Sequence, residues 1–320
     1  MSADGKVAIY GSPGVKLDAE YASGDSSSSS TTARAGSINA GGNLNIKTTG
    51  DATFVGTNLE AGNAASIDAG GDVDFQAARN TSTSTGSSAN ANLSISATAK
   101  DQSAGAGGGY EQTDSSSSTA VVGSIKSGSG GTTIKSDGDT SFEGTQLTSE
   151  GDTSVDAGGN VNLKAAVSTT SDSSAGASAE IGMDKGGSPE GEVGGGFTDS
   201  GSTTSTVTNI QSNGGVSIKG DTITNQESDI SSGSGEPVMD GNVVNTAAEN
   251  SEYATGIDVR VKAGGSSDSK KDGSNSKPGD SSSNQLANKS SDSVNSNPAS
   301  SNDSEAQANP NAAASDDTKV

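Results

Sequence analysis

The sequence predicts an all-β fold: a right-handed parallel β-helix (solenoid) with Ser/Thr/Gly-rich spurs and a disordered C-terminal tail. Three observations lead to this prediction: the chain repeats itself, large apolar residues recur at a fixed spacing within each repeat, and such residues are otherwise scarce. Of the 320 residues, 28% are hydrophobic, 2% are aromatic and 46 are glycine. A compact globular core needs more large apolar side chains, which leaves a disordered chain or a thin repeat protein.

Internal repetition favours the repeat protein over the disordered chain. Residues 36–78 and 123–166 match at an offset of 87, which becomes 88 after one insertion. A third, shorter copy starts at Ile210 and runs to about Val244. A random polar chain would not keep such a pattern, whereas stacked structural units require it.

The spacing of large apolar residues predicts the core. In the first copy the steps are 8, 8, 5, 8 and 8 residues, so equivalent positions recur after 21 residues. A period near 20 with three apolar positions is typical of a three-sided coil, in which each strand sends a side chain inward. In the third copy the equivalent pairs are Ile210/Ile230, Ile218/Val238 and Ile223/Val243. The predicted core anchors of the first two copies are Ile38, Ile46, Phe54, Leu59, Ile67, Phe75, Ile125, Ile134, Phe142, Leu147, Val155 and Leu163.

Glycine pairs mark the predicted corners of the coils. The motif Ala-Gly-Gly-Asn/Asp precedes alternating strands such as Leu44-Asn45-Ile46. We interpret these glycines as corner residues with positive φ, and the Asn or Asp as bonding to its own backbone. The predicted corner glycines are Gly41, Gly42, Gly70, Gly71, Gly158 and Gly159.

The repeats divide the chain into five parts. These are a partial preceding repeat (1–35), repeat 1 (36–122, with shaft 36–78 and spur 79–122), repeat 2 (123–209, with shaft 123–166 and spur 167–209), a truncated repeat 3 with closing strands (210–263), and a disordered Ser/Asn-rich tail (264–320). Alternation at Ala91–Ile95 and Ala179–Met183 predicts that each spur is a hairpin or strand pair; a floppy low-complexity loop is the alternative. Alternation at Ile257–Val261 predicts a last strand that closes the solenoid.

Composition argues against catalysis and against several classes of partner. Histidine and cysteine are absent, which excludes His-based acid–base chemistry, Ser-His-Asp triads and typical zinc sites. We interpret the carboxylates Asp68/Asp72, Asp137/Asp139 and Asp156 as turn formers at the corners, with a glycan-cleaving carboxylate pair as the alternative. The chain is therefore predicted not to be an enzyme and to have no catalytic, metal or cofactor-binding residues and no cofactor.

Charge and hydropathy limit the partners further. The net charge of −22 repels nucleic acid and anionic lipid, so no nucleic-acid partner is expected. No apolar run is long enough to span a membrane, and the first residues lack the apolar region of a signal peptide. If the protein is exported, we expect its export signal to lie outside this chain.

The repeats resemble the haemagglutinin repeats of filamentous haemagglutinin-type exoproteins, which include two-partner-secreted adhesins and contact-dependent growth-inhibition stalks. The resemblance covers residues 1–263 and is carried by Ala40–Ile46, by Gly50-Asp51 to Phe54, by Ala69–Phe75 with Ala77-Ala78, and by their second-copy partners. An amino-terminal secretion domain, a Val-Glu-Asn-Asn motif and a recognisable toxin domain are not found in this sequence.

The resemblance implies a function in adhesion and a location on the cell surface. It implies a structural or adhesive segment that mediates or supports adhesion, secreted or held on the outer surface of a Gram-negative bacterium. The implied partners are a host or neighbouring bacterial cell surface (protein or glycan) and an outer-membrane partner transporter for the full-length protein. The alternatives are a passive stalk of a contact-dependent growth-inhibition toxin-delivery protein, or a non-functional gene fragment of either.

Overall fold

The computed structural model describes residues 2–11, 14–98, 102–183, 187–264, 285–288 and 291–293, and its regular elements are all β-strands. In chain order the first twelve are β1 (Ser2–Gly11), β2 (Gly14–Thr31), β3 (Ser37–Ala40), β4 (Leu44–Thr48), β5 (Ala52–Val55), β6 (Asn58–Ala61), β7 (Ala64–Ala69), β8 (Val73–Gln76), β9 (Ala78–Thr98), β10 (Gln102–Val121), β11 (Ser124–Ser127) and β12 (Gly131–Ser136). The others described are β13 (Thr140–Glu143), β14 (Gln146–Ser149), β15 (Thr153–Ala157), β16 (Val161–Lys164), β17 (Ala166–Met183), β18 (Pro189–Thr206), β19 (Asn209–Ser212), β20 (Val216–Gln226), β21 (Asp229–Ser232), β22 (Val238–Thr246), β23 (Ser251–Gly264), β24 (Gln285–Asn288) and β25 (Ser291–Ser293).

Short parallel strands stack into a three-sided solenoid. One side is a six-stranded sheet in the order β21-β19-β14-β11-β6-β3, so the described chain makes six coils. The other two sides are joined by β20, which pairs with β15 through its first half and with β16 through its second half. The predicted parallel β-helix is confirmed.

Equivalent residues of successive coils stack in register inside the solenoid. Along one side the ladder contains Ile38, Leu59, Ile125, Leu147, Ile210 and Ile230. Along the next side it contains Ile46, Ile67, Ile134, Val155, Ile218 and Met239. On the third side three phenylalanine rings stack, with centroids 4.8 Å apart for Phe54/Phe75 and 5.2 Å apart for Phe75/Phe142. These ladders form the core.

Long antiparallel hairpins leave the solenoid after its second coil (β9 and β10) and after its fourth (β17 and β18). They are not separate spurs, because β10 pairs with β17 over fifteen residue pairs. β2 adds to one side of this assembly through β9, and β23 adds to the other through β18. The result is a nine-stranded antiparallel sheet in the order β1-β2-β9-β10-β17-β18-β23-β24, with β25 also on β23. We call it the hairpin sheet.

Solenoid and hairpin sheet fit together because one repeat advances both by the same distance. Each full repeat contributes two coils to the solenoid and two strands to the hairpin sheet. Neighbouring strands lie about 4.8 Å apart in either kind of sheet, so both advance by roughly 10 Å per repeat. The hairpins of successive repeats therefore meet at hydrogen-bonding distance.

The closing strands of the chain differ from the sequence prediction in two ways. β23 does not close the solenoid; it pairs with β18 in the hairpin sheet. Ile218 pairs with Met239 in place of Val238, since Val238 lies opposite Ser217 and is 59% exposed. Within the predicted disordered tail, β24 and β25 pair with β23, and residues 265–284, 289–290 and 294–320 lie outside the described residues.

Phe75 is the middle ring of the stack and is 3% exposed, so its truncation leaves a cavity with rings above and below. We expect Phe75→Ala to lower the free energy of unfolding by about 3–5 kcal/mol. Phe54→Ala is the matched control, because Phe54 ends the stack, is only partly buried and should cost clearly less. Urea unfolding followed by circular dichroism measures both, and equal losses would contradict the stacked core.

Candidate functional site

The predicted core anchors line the solenoid interior from the second coil to the fourth. Nine of them are 0–3% exposed: Leu59, Ile67, Phe75, Ile125, Ile134, Phe142, Leu147, Val155 and Leu163. The other three lie in the first coil, where Ile46 and Phe54 are partly buried and Ile38 is 42% exposed. Ile38 is exposed because β3 is the last strand of its sheet and has a neighbour on one side only.

Close packing between coils accounts for four of the six predicted corner glycines, Gly70, Gly71, Gly158 and Gly159. Gly41 and Gly42 of the first coil have no atom within 4 Å of an added Cβ. None of the six has a positive φ, so that part of the prediction is wrong; positive φ occurs instead at Gly56 (53°) and Gly144 (62°). A Cβ added to Gly158 would lie 2.3 Å from the Asp137 carbonyl oxygen of the preceding coil. At Gly70 it would lie 2.6 Å from the Thr49 carbonyl oxygen. These corners need glycine because a neighbouring backbone occupies the space of the side chain.

Aspartates at the corners hold neighbouring coils together. The Asp51 Oδ1 atom accepts the Asp72 backbone N–H at 2.9 Å, and Asp72 Oδ1 accepts the Asp139 N–H at 2.8 Å. Asp139 Oδ1 in turn accepts the Asn160 N–H at 2.7 Å. The predicted bonding of the motif residue Asp72 to its own backbone is therefore wrong: each of these three carboxylates caps the corner of the next coil. Asp68 and Asp156 differ again, since they lie on β7 and β15 and not at corners.

The two predicted carboxylates outside the corners, Asp68 and Asp156, are paired with cations on the solenoid surface. The Lys47 ammonium donates a hydrogen bond to Asp68, and this bond with its charge holds the pKa of the Asp68 carboxyl below its ordinary value. Lys219 lies 3.2 Å from Asp156 in the same way. Within the described residues no group of three or more His, Cys, Asp or Glu side chains could hold a metal ion. These carboxylates have the surroundings of structural ion pairs.

The hairpin sheet has one apolar face, which the sequence analysis did not identify. Residues directly opposite each other in an antiparallel sheet project to the same side, so the register assigns each side chain to a face. On β9, Leu93 and Ile95 share a face with Ile181 and Met183 of β17. Between them lie Ala104 and Ala106 of β10. The groove lined by these residues continues to β18 and the end of β23 and has a volume of about 680 Å³.

Further large side chains extend this apolar face across the sheet. Tyr21 and Tyr110 lie on the same side of β2 and β10, and Val193 and Phe197 on the same side of β18. On β23 the face continues through Tyr253, Ile257, Val259 and Val261. All twelve of these larger residues are exposed, from 37% at Val259 to 65% at Ile181. The sheet thus leaves a wide apolar surface uncovered among the described residues.

The opposite, polar face of the hairpin sheet carries most of the charged side chains. Asn90 and Asn92 of β9 lie across Gly109 and Gly107 of β10, whose added Cβ atoms would come within 2.9 Å of the asparagine Oδ1 atoms. On the far strand Lys262 lies 2.8 Å from Glu192, and this contact holds the pKa of the Glu192 carboxyl below its ordinary value. Most of the charge therefore lies on the side of the sheet opposite the large apolar residues, while Asp25, Asp114 and Asp199 lie on the apolar side.

The fold defines a class of protein: a parallel β-helix that carries a lateral antiparallel sheet. No helix long and apolar enough to cross a membrane occurs among the described residues. The family model for the hemagglutinin repeat matches residues 17–179 and again residues 104–224, two matches that begin 87 residues apart, as the repeats do. The chain belongs to the hemagglutinin repeat family. No curated protein and no solved structure matches it.

Two glycines of the same Ala-Gly-Gly-Asn motif test the close-packing explanation. Gly158→Ala places a methyl group 2.3 Å from a backbone oxygen, so we expect the free energy of unfolding to fall by about 1–3 kcal/mol. Gly42 has no atom within 4 Å of its added Cβ, and Gly42→Ala should change stability by less than about 0.5 kcal/mol. Thermal and urea unfolding measure both; a similar loss at both sites would show that the conformation of glycine, not its packing, matters.

Proposed function

We propose that the chain is a structural and adhesive segment of a filamentous haemagglutinin-like exoprotein and that it mediates or supports adhesion at a cell surface. Membership of the hemagglutinin repeat family supports this proposal. The observation that carries it is the hairpin sheet, in which strands of successive repeats combine into a broad surface attached to a closely packed solenoid. Such a surface is a contact platform, whereas the solenoid is its support.

The polar face of the hairpin sheet is the contact surface that we propose for adhesion. Asn90, Asn92 and Ser94 project from this face and are exposed. Amide and hydroxyl groups both donate and accept hydrogen bonds, which suits the polar groups of a protein or glycan. The net charge of −22 makes long-range attraction to an anionic cell surface unfavourable, so binding must come from short-range contacts.

Location and export follow from the same family argument. Proteins with hemagglutinin repeats are typically secreted or cell-surface exoproteins of Gram-negative bacteria. We propose the same location here, with an outer-membrane partner transporter exporting the full-length protein. The ligand would then be a protein or glycan on a host cell or on a neighbouring bacterium.

A passive stalk of a toxin-delivery protein is the second candidate, and one observation favours it. Each repeat lengthens the solenoid by two coils, or roughly 10 Å, which is the property of a spacer. A stalk needs no ligand of its own, so the two candidates differ in whether the isolated chain binds cells.

We expect the labelled full-length chain to bind host or bacterial cells in flow cytometry, and Asn90→Ala/Asn92→Ala to weaken binding by at least about tenfold, because two hydrogen-bonding side chains are lost. Thr83→Ala/Thr85→Ala is the matched control, since both threonines are exposed on the other side of the same strand. Binding should also strengthen with ionic strength as charge repulsion is screened. Absence of binding to cells and to glycan arrays would reject adhesion and leave the passive stalk.

A further inference from the structure

We propose that the apolar face of the hairpin sheet packs against the same face of a second copy of this chain. The two sheets would lie face to face, about 10 Å apart, with their polar faces outward. This interface is separate from the adhesive contact proposed above, which uses the polar face. The proposal rests on the area, the charge and the relief of the apolar face.

The area of the apolar face is large enough for a stable dimer. Twelve large side chains with exposures from 37% to 65% present an apolar area on the order of 1,000 Å². The largest apolar patch on an ordinary monomer is about 300–600 Å², and a stable interface buries about 800 Å² on each partner. The face is thus larger than a monomer normally exposes and matches one side of a standard interface.

The distribution of charge favours a second copy over a partner recognised by ion pairs. Residues that lie directly opposite one another form rows across the strands of the sheet. Between the row from Leu17 to Pro189 and the row from Ser23 to Val259, the apolar face has no charged side chain among the described residues. A chain with a net charge of −22 normally repels its own copies. Within these rows every charge lies on the other side of the sheet, which removes close repulsion across a face-to-face contact there. Asp25, Asp114 and Asp199, which are on the apolar side, lie beyond the row from Ser23 to Val259.

The relief of the face is suited to interdigitation. Leu93 and Ile95 form one ridge and Ile181 and Met183 form another, on strands two positions apart and therefore about 10 Å from each other. The groove lies over the alanines of β10 and continues past the second ridge to β18 and the end of β23. Its volume of about 680 Å³ is enough for several side chains. In a two-fold contact each copy supplies both the ridge and the groove, as an isologous interface requires.

Sedimentation velocity of the full-length chain tests the proposal over a roughly hundredfold concentration range. We expect a monomer–dimer equilibrium that tightens with added salt, since salt screens the remaining repulsion. Ile181→Asp should weaken dimerisation by at least about tenfold, because it buries a carboxylate in an apolar contact. Ser178→Asp is the matched control: it adds the same charge to the polar side of the same strand and should leave the equilibrium unchanged.

We expect both variants to keep the circular dichroism spectrum of the unmodified chain, because Ile181 is 65% exposed. An unchanged spectrum shows that loss of the dimer is not caused by loss of the fold. The absence of native cysteine allows a second readout. Ala179→Cys, on the apolar face, should link two copies through a short thiol-reactive crosslinker far more efficiently than Ser178→Cys.

Three results would overturn the proposal. One is a monomer at every concentration, and another is a dimer that Ile181→Asp leaves intact, which would place the interface elsewhere. The third is a monomer that adsorbs to phosphatidylcholine vesicles and loses this adsorption with Ile181→Asp, which would assign the face to a lipid surface.

Discussion

Hydrogen bonding between neighbouring strands, at one fixed spacing of about 4.8 Å, is the constraint on which the rest of the structure depends. It stacks the coils in parallel and the hairpins in antiparallel fashion. Each repeat adds two strands to every side of the solenoid and two to the hairpin sheet, so both parts lengthen by the same distance per repeat. A repeat with one extra coil would separate successive hairpins by a strand width and break the pairing of β10 with β17.

The same stacking explains the unusual composition. Large apolar residues are needed only where equivalent positions meet inside the coil, so a chain with 28% hydrophobic residues still has a continuous core. Glycine is needed where the backbone of one coil touches the corner of the next, as at Gly158. Aspartate occurs where an exposed backbone N–H of the next coil lacks a strand partner, as at Asp139.

Much of the solenoid could be predicted from the sequence because large apolar residues recur at the period of one coil. The pairs Ile38/Leu59 and Phe142/Leu163 are in register as the period of about 21 implies. The prediction failed where the period slips, since nothing local shows that Met239 replaces Val238 opposite Ile218. The packing reason for the corner glycines could not be predicted from the neighbouring sequence either, because the atoms that an added Cβ would clash with belong to another coil.

The hairpin sheet shows where sequence reasoning ends. Alternation at Ala91–Ile95 predicted a strand with one apolar side, and that strand is present. Its apolar side, however, is exposed and does not face a core. Which strands pair between hairpins depends on contacts between repeats. The apolar face therefore emerges only when residues far apart in sequence, such as Leu93 and Ile181, are placed on the same side of neighbouring hairpins, both opposite Ala106.

The solenoid and the hairpin sheet have different structural roles. The solenoid fixes the position of each hairpin through its buried ladders. The hairpin sheet places most of its charged side chains on one face and its large apolar side chains on the other. The polar side offers amides and charges to water or to a ligand, while the apolar side requires a cover. The adhesion and the self-association that we propose would therefore use opposite faces of one sheet and would not compete.

The alignment of residues between neighbouring coils determines the whole structure, and a pair of engineered cysteines tests this alignment most directly. Asp74 and Ser141 lie on neighbouring strands across an intervening hairpin, at a spacing that a disulfide spans. Asp74 and Asn162 lie on the same side of the solenoid but two strands apart, which is too far. We predict that mild oxidation closes an intramolecular disulfide in Asp74→Cys/Ser141→Cys and not in Asp74→Cys/Asn162→Cys. Closure in neither, or equal closure in both, would contradict the stacked parallel coils.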